Sequence, residues 1–284
     1  MPLRIMTEQD IPAGVRLNTH AGWNQTAADW HRFLESSPRG CFVAEEDARV
    51  VGTATTITYE NRFAWIGMVL VDHHYQKRGI GTQLLKKAID YLDASGVATL
   101  KLDATPQGQP LYRRLGFLTE YEIERWILKK SPMTDRSKPQ SNRAPLTNSQ
   151  RESLFAVDHE VFGADRRFLL RSLSDGSPEF SLGLWDDGLP QGYAFGRRGL
   201  FADHLGPWMA RSRAAAQTLF QEFLARTTRE TLIVDCLTSN SVAVDLVRAG
   251  GFVRSRPLTR MVRGPNTYPG KVEPLCAILG PEFG

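Results

Sequence analysis

The densest apolar run in the chain, Phe63 to Val71, is followed by a stretch with helical periodicity. A run of that length bounded by polar residues suits a buried strand and is too short to cross a bilayer. Over 82–95, Leu84, Leu85, Ala88, Ile89 and Leu92 share one stripe, while Lys86, Lys87, Asp90 and Asp93 face away. That spacing predicts an amphipathic helix, and Gly96 is positioned to stop it. Residues 98–102 alternate in polarity and predict a short strand. A further helix over Pro110 to Leu115 leads to Gly116-Phe117. Near the start of the chain, Thr26 followed by Asp29 reads as a helix N-terminus.

Between the apolar run and the helix lies Gln76-Lys77-Arg78-Gly79-Ile80-Gly81-Thr82. A strand feeding a glycine loop and then a helix N-terminus is a phosphate-binding device, because free backbone N–H groups and the positive end of the helix dipole converge on one anion. Gly79 and Gly81 are expected to allow close approach and positive φ. A dinucleotide fold wants a third glycine where Leu84 stands, and no glycine-lysine P-loop occurs in the chain.

The order Gln76-x-x-Gly79-x-Gly81, with Tyr112 four residues before Gly116-Phe117, resembles the GNAT acetyltransferase superfamily. The resemblance implies acetyl-CoA as co-substrate. Its diphosphate would lie on Gln76, Lys77, Arg78, Gly79, Ile80, Gly81 and Thr82, and its pantetheine arm along Val69, Leu70 and Val71, where the strand splays from its parallel neighbour. Thr105 stands where such proteins often have Asn, seven residues before the tyrosine. Tyr112 would protonate the departing thiolate. The segment from His20 to Trp30 would form the acceptor wall, with Trp23 and Asn24 facing an amine. Family members often carry a Glu on the strand before the loop, but Phe63 to Val71 has no acid. Asp72, His73, His20, Glu45 and Asp103 remain alternative bases.

The second half reads as a decayed copy of the first. A shift of 135 places Gly116-Phe117 on Gly251-Phe252, Leu84 on Leu219, Arg78 on Arg213 and Arg125 on Arg260. The loop glycines become Ala214 and Ala216, Tyr112 becomes Val247, and Asn240 occupies the position of Thr105. Added methyl groups weaken close approach to phosphate, and valine donates no proton. The expected class is α/β (α+β), with two tandem GNAT-like domains. Each would have a mixed, mostly antiparallel twisted sheet with a splayed parallel pair, flanked by helices. The expected division is a catalytic domain over 1–130, a polar, proline-containing linker over 131–143, and a degenerate domain over 144–284 that binds no acetyl-CoA.

Composition narrows the function further. With 42% hydrophobic and 23% charged residues and a net charge of +4, the chain has an ordinary globular make-up and no basic stripe for nucleic acid. Cys41, Cys236 and Cys276 lie too far apart for a disulfide framework or zinc site and suit reduced thiols in a cytoplasmic protein. No metal and no membrane partner are expected. The reaction implied is transfer of an acetyl group from acetyl-CoA to a primary amine of a small molecule in a ternary complex. A protein N-acetyltransferase and an acyl-CoA sensor without turnover stay open, as does a homodimer. The segment Leu279 to Gly284, with Phe283 next to last, either packs back or frays.

Overall fold

The computed structural model describes residues 2–130 and 145–284, so the linker expected at 131–143 lies outside the described residues. The elements in chain order are β1 (Leu3–Ile5), α1 (Ile11–His20), α2 (Ala27–Ser36), β2 (Phe42–Glu46), β3 (Arg49–Tyr59), β4 (Phe63–Val71), α3 (Ile80–Ala94), β5 (Leu100–Ala104), α4 (Gln109–Arg114) and β6 (Leu118–Lys129). They are followed by α5 (Asn148–Phe162), α6 (Arg167–Gly176), β7 (Leu182–Asp186), β8 (Leu189–Arg198), β9 (Asp203–Ala210), α7 (Arg213–Arg226), β10 (Thr231–Leu237), α8 (Ser241–Ala249), β11 (Val253–Arg263) and β12 (Leu275–Ala277). Among the described residues, no helix is long and apolar enough to cross a membrane.

Two compact units emerge, and they interleave along the chain. Unit 1 runs to Glu120 and takes in Arg260–Thr267 and Glu282–Gly284; unit 2 comprises Tyr121–Thr259 and Tyr268–Pro281. In unit 1 the strand order is β1-β2-β3-β4-β5, continued by the last residues of β11. The β1–β2, β2–β3 and β3–β4 pairings are antiparallel, and β4–β5 is parallel. The stripe of α3 buries Leu84, Leu85, Ala88 and Leu92 against Phe42, Val51, Ala54, Ala64 and Ile66. The other face carries α1 and α2. There Trp30 is fully buried and donates from Nε1 to Asn18 Oδ1 at 2.8 Å.

In unit 2 the order is the first part of β11, then β6-β10-β12-β9-β8-β7. Its core gathers Phe180, Trp208, Phe220 and Phe223 beneath α7. The parallel pair here is β9–β10. Cys41, Cys236 and Cys276 are free and buried.

Each unit is thus completed by a strand from the other half of the sequence, and each such strand brings an arginine. Arg260 reaches Asp103 of β5 through two hydrogen bonds of 2.9 and 2.8 Å. Arg125 reaches Asp235 of β10 through two of 2.7 Å. These are the arginines matched by the 135-residue shift. All four side chains are buried, so neither charge can be left alone without losing its solvation. Arg260→Leu is expected to lower stability by about 3–5 kcal/mol, because Asp103 would stay buried and uncompensated. A denaturant midpoint indistinguishable from wild type would refute that accounting.

Candidate functional site

The site is built by an irregularity in β4. Against β3, Thr53 pairs with Leu70 but Thr55 pairs with Gly67, so β4 holds one extra residue in between. Met68 absorbs it with a left-handed φ of 48°, and its carbonyl accepts from Thr53 Oγ1 at 2.8 Å. A bulge bends the strand that carries it. The parallel ladder to β5 accordingly has only two registered pairs, Ala64 with Leu100 and Trp65 with Lys101. Beyond Trp65 the strands splay, and the β5-facing backbone of Val69, Leu70 and Val71 has no strand partner there. Val69 and Val71 are half-buried on the α3 side, whereas the Leu70 side chain is buried.

The glycine loop closes the mouth of this gap. Gln76 Nε2 donates to Val71 O at 3.3 Å, tying the loop to the end of β4. Lys77 and Gly79 take left-handed φ values of 62° and 78°. The helix therefore starts at Ile80, two residues earlier than its apolar stripe predicts, with Gly79 as N-cap and no capping side chain. Its first closed turn is Gln83 N–H to Gly79 O at 3.0 Å. The N–H groups of Ile80, Gly81 and Thr82 thus have no acceptor within the helix. Gly81 does not adopt positive φ; it lies within the first helical turn. The Ile80 side chain is buried core, so its backbone alone faces the mouth. The exposed Arg78 leans on Tyr75, with 4.9 Å from Cζ to the ring centre, and reaches Glu46 at 3.5 Å.

Tyr112 lies on α4, which follows β5 after Thr105 and Gly108. The Gly108 N–H donates to Thr105 Oγ1 at 3.4 Å, and Tyr112 meets Phe117 edge-on at 6.2 Å. Tyr112, Val69 and Val71 pack on the same apolar cluster as Ile80, so the structure brings these predicted residues to one side of the sheet. Burial pushes the Tyr112 phenol up to about 12. On the opposite side, Trp23 is half-buried and Asn24 buried. Thr26 and Asp29 form a capping box at the start of α2, with Thr26 N–H to Asp29 Oδ2 at 2.8 Å. Trp30 belongs to the α1–α2 core, which leaves Trp23 as the one tryptophan of this segment with an exposed edge.

The alternative bases are mostly engaged in other contacts. Asp103 is held by Arg260, and Glu45 accepts from Arg4 at 2.7 Å. Asp72 caps the turn after β4. Burial would push its carboxyl up, but the His74 N–H and the charges of Arg49, His73 and His74 bring it below the usual carboxylate range. His73 and His74 are exposed, with ring centres 3.7 Å apart. His20 meets His73 edge-on at 6.0 Å. Asp72, His73 and His74 also form the one group among the described residues whose ligand atoms are spaced to share a metal ion.

Comparison with known proteins assigns this architecture. The acetyltransferase (GNAT) family matches residues 7–117, and a second acetyltransferase (GNAT) domain matches 154–276. The chain belongs to the GNAT acetyltransferase family. It is 23% identical over 263 residues to the holothin acyltransferase of Pseudoalteromonas sp. (strain SANK 73390), covering 92% of this chain and 87% of that one. It is 30% identical over 135 residues to the mycothiol acetyltransferase of Acidimicrobium ferrooxidans, covering 42% and 44%. A candidate acetyltransferase from Pyrococcus horikoshii superposes with a TM-score of 0.80 at 24% identity, covering 100% of this chain and 95% of that one. A GCN5-related N-acetyltransferase from Sphaerobacter thermophilus follows at 0.66 and 17%, covering 95% and 96%.

The second GNAT unit differs from the first where the gap should be. β12 enters the wedge between β9 and β10, pairing Ala277 with Trp208 on one side and with Cys236 on the other. Ile278 N–H bonds Asp235 O at 3.0 Å, and Asn240 Nδ2 donates to Leu275 O at 3.1 Å. The helix following β9 is capped by its own sequence, with Ala215 N–H donating to Ser212 Oγ at 3.2 Å. Val247, at the position of Tyr112, is fully buried. The alanines and the missing phenol are the differences legible in the sequence; the strand that fills the wedge had no signal in the repeat.

Proposed function

We propose that unit 1 transfers an acetyl group from acetyl-CoA to a primary amine of a small molecule, with both substrates bound together. The observation that carries this reading is the uncapped N-terminus of α3 at the mouth of the β4–β5 splay. The donor's diphosphate sits on the N–H groups of Ile80, Gly81 and Thr82, where helix dipole and unmet donors favour an anion. Gln76, Lys77 and Arg78 border it, and Gly79 and Thr105 shape its approach. The pantetheine arm takes the place of a strand along Val69, Leu70 and Val71. One of those N–H groups stabilises the thioester oxygen as charge builds on it. The ladder at Trp65 and Lys101 closes the inner end of the gap, which favours an acetyl group over a long acyl chain. Tyr112 supplies a proton to the sulfur as the C–S bond breaks.

Two relatives are named after holothin and mycothiol, both small molecules, which favours a small acceptor. Trp23 and Asn24 are the wall offered to it. In unit 2, β12 and the Ser212 cap occupy the two places a donor needs, so one donor site per chain is expected. Calorimetric titration of acetyl-CoA tests this. A stoichiometry of one supports the reading, two would refute the single site, and no binding would remove the donor altogether.

A further inference from the structure

β4 has no acid of its own, and its middle residue is Gly67. A Cβ at Gly67 would lie 2.8 Å from the carbonyl oxygen and 3.3 Å from the Cα of Glu282. The first distance is too short for any real Cβ and the second is tight, so the glycine is what lets the 282–284 segment lie against the strand. That segment is firmly seated in unit 1. Phe283 is fully buried and stacks on Phe33 with ring centres 4.7 Å apart. Its carbonyl accepts from Tyr59 Oη at 2.7 Å. Glu282 itself is only 3% exposed. The backbone of a buried glutamate is thus brought, from more than two hundred positions downstream, against the residue beside the Met68 bulge where β4 leaves β5.

We infer that Glu282 is the general base of the acetyl transfer, a role that rests on the reading above. The acceptor arrives as an ammonium and passes one proton to the Glu282 carboxylate. The freed nitrogen lone pair forms the C–N bond, and the C–S bond breaks with its electron pair going to sulfur. Tyr112 protonates that sulfur, and the second proton leaving nitrogen returns the phenol to its neutral form through solvent. The net products are the amide, CoA thiol and the proton held by Glu282, which solvent removes. Proximity to the bulge serves the same end, because the thioester carbonyl lies where β4 turns away.

The test compares two nucleophiles in the full chain. Phenethylamine is an ammonium at neutral pH and needs a base, whereas hydroxylamine is already largely unprotonated. Glu282→Gln is expected to lower kcat/KM for phenethylamine about 100-fold at neutral pH, with the loss shrinking as pH rises. The same variant is expected to keep the hydroxylamine rate within about threefold. Glu282→Asp should recover part of the phenethylamine rate. An unchanged phenethylamine rate overturns the inference. An equal loss with both nucleophiles also overturns it, since that is the signature of a merely structural role. Failure of the wild-type protein to release CoA with either nucleophile would instead strike at the acetyltransferase reading.

Discussion

Gly81→Asp is expected to abolish acetyl-CoA binding while leaving the fold intact. The two halves of that statement have different causes. A Cβ at position 81 would meet only Val71 Cγ2, at 3.5 Å, which is ordinary contact. Position 81 lies in the first turn of α3, where a carboxylate favours the helix by about 0.3–1 kcal/mol. The protein therefore has no structural need for glycine here. The ligand does, since an added carboxylate would stand among the N–H groups that the diphosphate requires and would repel its charge. A loss of more than about 100-fold in affinity, or about 2.7 kcal/mol, is expected by calorimetry, with an unchanged or slightly raised melting temperature. Wild-type affinity in this variant would mean that the anion site lies elsewhere. Gly79 offers a poorer test, because its left-handed φ makes any substitution a change in the loop itself.

Tyr112→Phe is expected to lower kcat on the order of 10³-fold with little change in the donor's KM. Phenylalanine keeps the edge contact to Phe117 and the packing beside Gly108, so only the proton is lost. Burial holds the phenol up to about 12. A raised value keeps the group protonated further into the alkaline range, and its donor form is lost only as pH rises through that value. The wild-type rate should therefore show no decline from loss of the proton donor before about pH 10. A bell with an alkaline limb near neutral pH, or full activity in the phenylalanine variant, would take the proton-donor role away from Tyr112.

Much of unit 1 was legible because its elements follow simple periods. The α3 stripe, the Thr26 cap and the order of strand, glycine loop and helix all appear as spaced residue types. The start of α3 was displaced because the apolar stripe begins after the cap, and the cap is set by the φ of Gly79 rather than by hydrophobicity. The strand expected at 98–102 forms at Leu100–Ala104, since Ala98 and Thr99 precede the ladder to β4. Nothing about Met68 announces a left-handed residue, so the bulge was invisible. Gly67 was the available hint, as a glycine inside an apolar strand marks a close backbone neighbour, but the neighbour lies at 282. The same limit hid the exchange of final strands. A repeat shift of 135 is identical whether each strand completes its own half or the other; the strand order and the arginine–aspartate pairs distinguish the two.

That exchange has a consequence for how the protein is made. Synthesis runs from the N-terminus, and most domains can fold once their own residues have emerged from the ribosome. Unit 1 cannot do so, because Asp103 waits for Arg260 and Gly67 waits for Glu282. The half that carries the proposed chemistry must therefore stay incomplete while nearly the whole of unit 2 is translated. Its contacts are among the longest in sequence that this chain offers, and closure of such contacts is slow. The β5 edge would stay unfinished throughout that interval, so activity is tied to the arrival of residues 260–267 and 282–284 rather than to that of residues 1–120.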